Sequence, residues 1–227
     1  MLSIVVPALN EADVIADTLG DLRLAMPAAA ELIVADGGST DGTPDVARGL
    51  ADRLVTAPAG RAAQQNAGAG VARGEVLWFV HADTRVPAEA FVQLQRALAA
   101  GAVWGRFDAR LDGRHPGLPM VAWLMNHRSC LTGIATGDQG LFVTREAFRR
   151  VGGFPSIPLM EDVEISRRLK RVGRCQCLPG PLLTSARRWD RDGLMRTVML
   201  MWRLRLAFFF GADPAELHRR YSGRRPA

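Results

Sequence analysis

At 227 residues, with 48% hydrophobic and 23% charged residues, the chain has the size and composition of one generous globular domain. It holds no run of ~18 apolar residues, which excludes an ordinary membrane-spanning helix. The net charge of +6 lies wholly in residues 185–227, where ten Arg face four acids, so an anionic partner suits that end: a membrane surface, a phosphate or nucleic acid.

The opening Met1-Leu2-Ser3-Ile4-Val5-Val6-Pro7 lacks a basic segment and a cleavage site, which predicts a cytosolic protein. Strand-like apolar runs then alternate with helical patterns. Leu2–Val6 leads into a helix from Glu11 to about Ala25, and Leu32–Ala35 into Thr43–Ala51. Leu54–Thr56 precedes Ala62–Ala72, and Val76–Val80 precedes Ala88–Ala99. Four strand–helix units in succession predict a mostly parallel sheet with helices on both faces. Past residue 100, Phe107–Leu111 and Leu141–Thr144 read as strands, separated by a Gly/Pro-rich link and a helix containing Trp123. Glu161–Val172 is a helix with Val163, Ile165 and Leu169 inward. Three cysteines, Cys130, Cys175 and Cys177, suit a reducing compartment, and Cys175-Gln176-Cys177 without a second pair argues for strand residues over zinc. An apolar helix with arginines, about Gly193–Phe210, precedes a polar tail ending at Ala227.

The loops after the strands carry the polar groups that invite chemistry. In open α/β sheets ligands sit beyond the carboxyl ends of the strands. Pro7 ends the first strand and Asn10 can cap the helix at Glu11. Asp36 ends the second strand with no helix to cap, in the glycine-rich Asp36-Gly37-Gly38-Ser39-Thr40-Asp41-Gly42-Thr43. Such a carboxylate can accept hydrogen bonds from a nucleobase or a ribose, while Asp41 or Thr43 can cap the following helix. Neither a dinucleotide fingerprint nor a Walker loop is present, since the spacing is wrong and Lys170 is the single lysine. Arg61 stands at a helix start, where the dipole disfavours a cation, and is either an exposed charge or the neighbour of an anionic ligand. Asp83 follows a core strand in Val76-Leu77-Trp78-Phe79-Val80-His81-Ala82-Asp83, where it either caps a helix or holds a cation. Asp138 lies in the tight Gly137-Asp138-Gln139-Gly140 loop, read equally as turn or site. Glu161, Asp162 and Glu164 open a helix after Gly152-Gly153-Phe154-Pro155.

In this order the motifs resemble glycosyltransferase family 2, the inverting nucleotide-sugar transferases of the GT-A fold. The resemblance is carried by Ile4–Glu11, Ala35–Thr43, Asn66-Ala67-Gly68 with Ala72-Arg73-Gly74-Glu75, His81-Ala82-Asp83 and Glu161-Asp162. It covers roughly residues 2–190 and implies a three-layer α/β/α domain with a mixed, mostly parallel sheet. The nucleotide-sugar half would be about 1–100, the acceptor half about 101–190, with a C-terminal apolar and basic segment over 191–227. It implies that Pro7, Ala8, Asn10, Glu11 and Asp36 line the nucleotide, with Arg61 on the base or phosphate side and Ala82, Asp138 and Glu161 nearby. Asp83 matches the metal-binding carboxylate, for Mg²⁺ or Mn²⁺, and Asp162 the catalytic base. The chain departs from the family in having Gly37 for a second acid, His81 for the first acid of D-x-D, and Ser185 for Gln in the Q-x-x-R-W-like Ser185-Ala186-Arg187-Arg188-Trp189. The segment from Gly137 to Val163 further resembles a small bacterial subgroup linked to arsenosugar assembly or carotenoid-acid glycosylation.

The resemblance thus implies transfer of one sugar from a nucleoside-diphosphate sugar, UDP-linked, to a lipid, carotenoid-acid or small-molecule acceptor. Arg187 or Arg188 would neutralise the diphosphate while Trp189 packs under the acceptor. Two rival readings are a non-catalytic nucleotide-sugar-binding protein and a nucleotidyltransferase making the activated sugar. The final helix is apolar nearly all round, without a clean amphipathic stripe, which allows core packing, a homodimer face or peripheral membrane adsorption. Arginines set in an apolar helix do not form a nucleic-acid face.

Overall fold

The central strand sets the architecture. β1 (Leu2–Ala8) is buried along most of its length and feeds both faces of the sheet: Ile4, Val6 and Ala8 point to one core, Val5 to the other. A strand covered on both sides has no polar face to present, which is why its sequence is a continuous apolar run. The structure is a computed structural model and describes residues 1–223.

In chain order β1 is followed by α1 (Ala12–Ala25), β2 (Glu31–Asp36), α2 (Thr43–Leu50), β3 (Arg53–Thr56), α3 (Arg61–Val71) and β4 (Val76–Phe79). Next come β5 (Thr84–Arg85), α4 (Ala88–Ala99), β6 (Trp104–Asp112), α5 (Leu118–Thr132), a 3₁₀ turn (Gly137–Gln139), β7 (Phe142–Thr144) and α6 (Arg145–Arg150). α7 (Glu161–Leu169), β8 (Gln176–Ser185), α8 (Arg187–Asp192), α9 (Leu194–Phe209) and α10 (Pro214–Ser222) complete the described chain. The strands form one sheet in the order β3-β2-β1-β4-β7-β6-β8-β5. β3, β2, β1 and β4 are mutually parallel, and β7 enters antiparallel to both β4 and β6. The chain therefore winds outwards from β1 in one direction and returns to β4 on the other side. This switch point opens a crevice between the loops that follow β1, β2 and β4.

One core, holding Ile15, Leu19, Leu22, Phe91 and Leu94, lies under α1 and α4. The other, holding Ala62, Ala69, Phe148, Ile165 and Leu169, lies under α3, α6 and α7. The expected three-layer α/β/α arrangement with a mixed, mostly parallel sheet is what the chain forms. Trp78 stacks on Phe107 with ring centroids 4.9 Å apart and donates its indole N–H to the Gly140 carbonyl, which ties the parallel half to the antiparallel half.

Four local expectations are corrected. Pro7 does not end β1, which continues with Pro7 opposite Ala35 and Ala8 opposite Asp36. The carbonyl of Val5 accepts from Val80 on the β4 side, so Pro7, two residues on, turns its missing donor towards β4 beyond the end of that ladder, where no partner needs it. Asn10 does not cap α1: it sits at φ 55 and its side-chain oxygen accepts from Thr40 N–H instead. Cys130 and Cys177 are joined as a disulfide, Cα atoms 5.9 Å apart, rather than remaining reduced thiols. The segment after Phe210 is not simply a polar tail, because Asp213 caps a further helix, α10, that buries Leu217. Residues 224–227 of the expected tail lie outside the described residues.

Candidate active site

The first two loops are built as one unit. Ser39 Oγ accepts from Asn10 N–H, Thr43 Oγ1 from Glu11 N–H, and Asp41 from Ala12 N–H, at 2.9, 2.9 and 3.0 Å. The start of α1 is thus capped by the loop after β2 and not by its own residues. Asp36 is buried at the strand end, as expected, but its carboxylate already accepts from Gly38 N–H, Ser39 N–H and Ser39 Oγ–H. It shapes the glycine-rich turn from within. Beneath both loops lies Gln64, fully enclosed, whose amide donates to the carbonyls of Ala8 (2.6 Å) and Ala35 (3.1 Å). No sequence signal singled out this residue.

Across the crevice, Asp83 leaves the β4 loop and meets an arginine. The Arg187 guanidinium donates to Glu11 at 2.8 Å and to Asp83 at 3.2 Å, joining the first loop, the β4 loop and α8. Glu11 first, and Asp83 with it, hold the Arg187 pKa above its ordinary value. Its neighbour Arg188 points the other way, over the Tyr221 ring at 3.6 Å and towards the Tyr221 carbonyl and Asp192. Of the two candidates, Arg187 is the one in the crevice. Trp189 packs with Leu111, Leu118 and Ala186 in a small core beside α5. Ala82 buries its side chain under α1 and offers only its carbonyl, which accepts from Thr18 Oγ–H.

A second cluster lies beside the first. The Asp162 carboxylate, at the start of α7, accepts from Gly137 N–H at 3.0 Å and Val163 N–H at 2.7 Å. It borders a small cavity walled by Gln65, Phe79, Leu141 and Phe154. Asn66 clamps Phe154 from both sides, donating to its carbonyl and accepting from its N–H, so the Gly-Gly-Phe-Pro loop is fastened to α3. His81, in the place of the first acid, turns Nδ1 towards Asp138 at 3.5 Å and packs its Nε2 face against Gly137. A Cβ on residue 137 would overlap the imidazole, so only glycine fits there.

The charges of this cluster are matched by an arginine from α3. Arg61, exposed at the start of α3, feels the charge of Tyr221, Glu161, Asp138 and Asp162. Loss of bulk water around it works against its charge, but these groups outweigh that and raise its pKa at a side chain that is itself exposed. Partial desolvation likewise opposes the charge of the half-exposed Asp138, which His81 and Arg61 nevertheless hold below the usual carboxylate range. Glu161 goes the opposite way. Its burial, then the charge of Asp162, push it up to about 7. Because this folded value lies above the ordinary one of 4.5, stability is lost as pH rises from about 4.5 to about 7 and the loss is complete above that. Glu161→Gln is therefore expected to raise the melting temperature at pH 8 relative to the native chain and to leave it nearly unchanged at pH 5. An equal shift at both values would contradict this.

With this geometry, the comparison with other proteins is direct. Residues 3–149 match the family model "Glycosyl transferase family 2". The chain belongs to that family. This glycosyltransferase family 2 chain is 31% identical over 195 residues to the succinoglycan biosynthesis protein ExoA of Rhizobium meliloti (strain 1021), a match spanning 75% of this chain and 58% of ExoA. The chain thus covers little more than half of that relative's length. Among solved structures it resembles S. aureus TarS 1-349 in complex with UDP-GlcNAc (TM-score 0.66, 18% identity, 81% of this chain and 58% of that one). It also resembles the mannosyltransferase PcManGT from Pyrobaculum calidifontis in complex with GDP-Man and Mn²⁺ (TM-score 0.63, 22% identity, 100% and 65%). A third is glucosyl-3-phosphoglycerate synthase from Mycobacterium tuberculosis with Mn²⁺, UDP and glucosyl-3-phosphoglycerate (TM-score 0.62, 21% identity, 87% and 76%). At these identities the three structures show the shared fold, and the family match shows the kinship.

Proposed function

We propose that this chain is an inverting glycosyltransferase that moves one sugar from a nucleoside-diphosphate sugar, UDP-linked, to an acceptor hydroxyl. The observation that carries the reading is the Asp162 carboxylate, oriented by two backbone N–H groups at the wall of a cavity beside the crevice that holds Asp83. The donor complexes of the structural relatives, with UDP-GlcNAc, with GDP-Man and Mn²⁺, and with UDP and Mn²⁺, support the same class of donor.

The acceptor oxygen attacks the anomeric carbon from the face opposite the diphosphate. The new C–O bond forms as the C–O bond to phosphate breaks, its electron pair leaves with the nucleoside diphosphate, and the hydroxyl proton passes to Asp162. Asp162 and Glu161 are neighbours about 100° apart on the helix, so they cannot face one another as an acid–base pair. Asp162 takes the proton. Glu161, buried and partly protonated near neutrality, limits the negative charge crowded at the start of α7.

The metal fits this donor set in one way. Among the described residues no group of three His, Cys, Asp or Glu side chains could enclose a cation. Magnesium commonly takes one or two carboxylates and completes its shell with substrate phosphates and water. Asp83, partly exposed and paired only with Arg187, is suited to such a ligand role, whereas His81 is turned to Asp138 and Gly137. When bound, Mg²⁺ or Mn²⁺ supplies neutralisation of the departing diphosphate. Arg187, shared between Glu11 and Asp83, offers a second cation to the same charge.

Calorimetric titration with UDP-glucose, UDP-GlcNAc and GDP-mannose, with and without Mn²⁺, tests the reading. Binding of one of them with Mn²⁺ is expected. Asp36→Ala, which releases the turn that frames the crevice, should weaken it by about 1–3 kcal/mol. Absence of binding to all three would remove the proposal.

A further inference from the structure

The described surface carries an apolar face that none of the described residues covers. On α9, Met195, Met199, Trp202, Leu206 and Phe209 are all exposed at spacings of four, three, four and three residues, which puts them on one side of the helix. The opposite side, with Thr197 and Leu204, is buried on the body. The expectation that the helix lacks a clean stripe is corrected: it has an exposed apolar stripe, masked in sequence because the helix is apolar towards the core as well. Trp202 is 70% exposed and Phe210, just beyond the helix, 77%. α5 adds Met120, Trp123, Leu124 and Leu131, again at helical spacing and exposed.

The two helices meet at their starts. Leu194 packs with Leu118 and Val121 near their starts. Further along, burial and the like charge of Arg205 push Arg128 down to about 10. Neither helix contains an Asp or Glu, while together they carry Arg128, Arg196, Arg203 and Arg205. The neighbouring acids Asp192 and Glu216 are paired with arginines of their own helices. Among the described residues no carboxylate lies within ion-pair distance of Arg196, Arg203 or Arg205.

We propose that the α5–α9 face docks on an anionic lipid bilayer, its apolar stripe and aromatic rings entering the headgroup boundary and the exposed Arg196 and Arg203 meeting lipid phosphates. Exposed apolar patches of this kind mark interaction sites, and Trp, Phe and Leu on a helix flanked by Arg are the composition of an interfacial helix. The charge decides between occupants. A two-fold pairing of this face with a second copy would set arginine against arginine with no acid on either helix to neutralise them, whereas an anionic surface is complementary. No helix among the described residues is long and apolar enough to cross a membrane, so the face lies on the bilayer. Leu204 of α9 packs with Leu159 and Met160, the residues just before Glu161 and Asp162, which puts the proposed base beside the docked face.

Co-sedimentation of the full chain with vesicles of phosphatidylcholine, or of phosphatidylcholine with phosphatidylglycerol, tests this without donor or acceptor, so its outcome is separate from that of the proposed reaction. Binding to the anionic vesicles, weak binding to the neutral ones and release by salt are expected. Trp202→Glu with Phe209→Glu should abolish binding while circular dichroism reports an unchanged fold. Arg203→Gln, which keeps the apolar stripe and carries the test if the double variant misfolds, should lower partitioning about fivefold. Failure to bind anionic vesicles, or unchanged binding by the folded variants, overturns the proposal. A dimer in sedimentation velocity that Trp202→Glu with Phe209→Glu converts to monomer would assign the face to a second copy instead.

Discussion

Asp162→Asn is expected to lower sugar transfer by about 10²–10⁴-fold, the usual worth of a positioned base, while donor affinity survives. Asn keeps the size of the side chain and one carbonyl oxygen, so it retains one of the two backbone hydrogen bonds that the carboxylate accepts from Gly137 and Val163. The lost bond costs about 1 kcal/mol of stability, which a melting curve reads separately from turnover. What Asn cannot do is take the acceptor proton. Full retention of transfer to a hydroxyl acceptor would remove Asp162 from the reaction. Retention confined to a carboxylate acceptor, which arrives already deprotonated, would instead redirect the account to ester formation.

The second large effect concerns Asp83. Asp83→Asn removes the one crevice carboxylate of the β4 loop and frees Arg187 to its remaining partner Glu11. Stimulation of turnover by Mn²⁺ is expected to fall by about 10³-fold, since charge neutralisation at a departing diphosphate is worth several kcal/mol. Arg187→Ala should act differently, lowering turnover at all metal concentrations without abolishing the response to Mn²⁺. If Asp83→Asn and the native chain respond to Mn²⁺ alike, the cation is held elsewhere or not used.

Much of the scaffold was legible because β1, β2 and β4 are buried on both faces, and such strands write themselves as apolar runs. β8 was not legible. Pro179, Gly180 and Pro181 break every strand pattern, and the sheet tolerates them only through an irregularity: Phe107 faces Leu178 but Ala109 faces Leu182. α10 hid for another reason. Its charges read as a solvated tail, and a single leucine, Leu217, anchors it against Leu159 and Met160, the residues that lead into Glu161 and Asp162. The C-terminal helices thus brace the segment that presents the proposed base.

The site divides along the same line. Carboxylates at strand or helix ends, such as Asp36, Asp83 and Asp162, announce themselves by position alone. Their partners do not, because the contacts are made across the fold: Arg187 reaches Asp83 over 104 residues and Asn66 reaches Phe154 over 88. Adjacent arginines at the start of α8 cannot be told apart in sequence, yet one enters the crevice and the other stacks on Tyr221. Cys130 and Cys177, 47 residues apart, gave no sign that α5 and β8 bring them together.

The measurement closest to the central claim is the configuration of the sugar first released from an α-linked nucleotide sugar, followed by proton NMR in the presence of Mn²⁺ and then of EDTA. With the donor that binds best, the account predicts nucleoside diphosphate in equal amount with a β-configured product, and arrest of both by the chelator. Donor binding without diphosphate release, a product that keeps the α configuration, or release indifferent to EDTA would each contradict it.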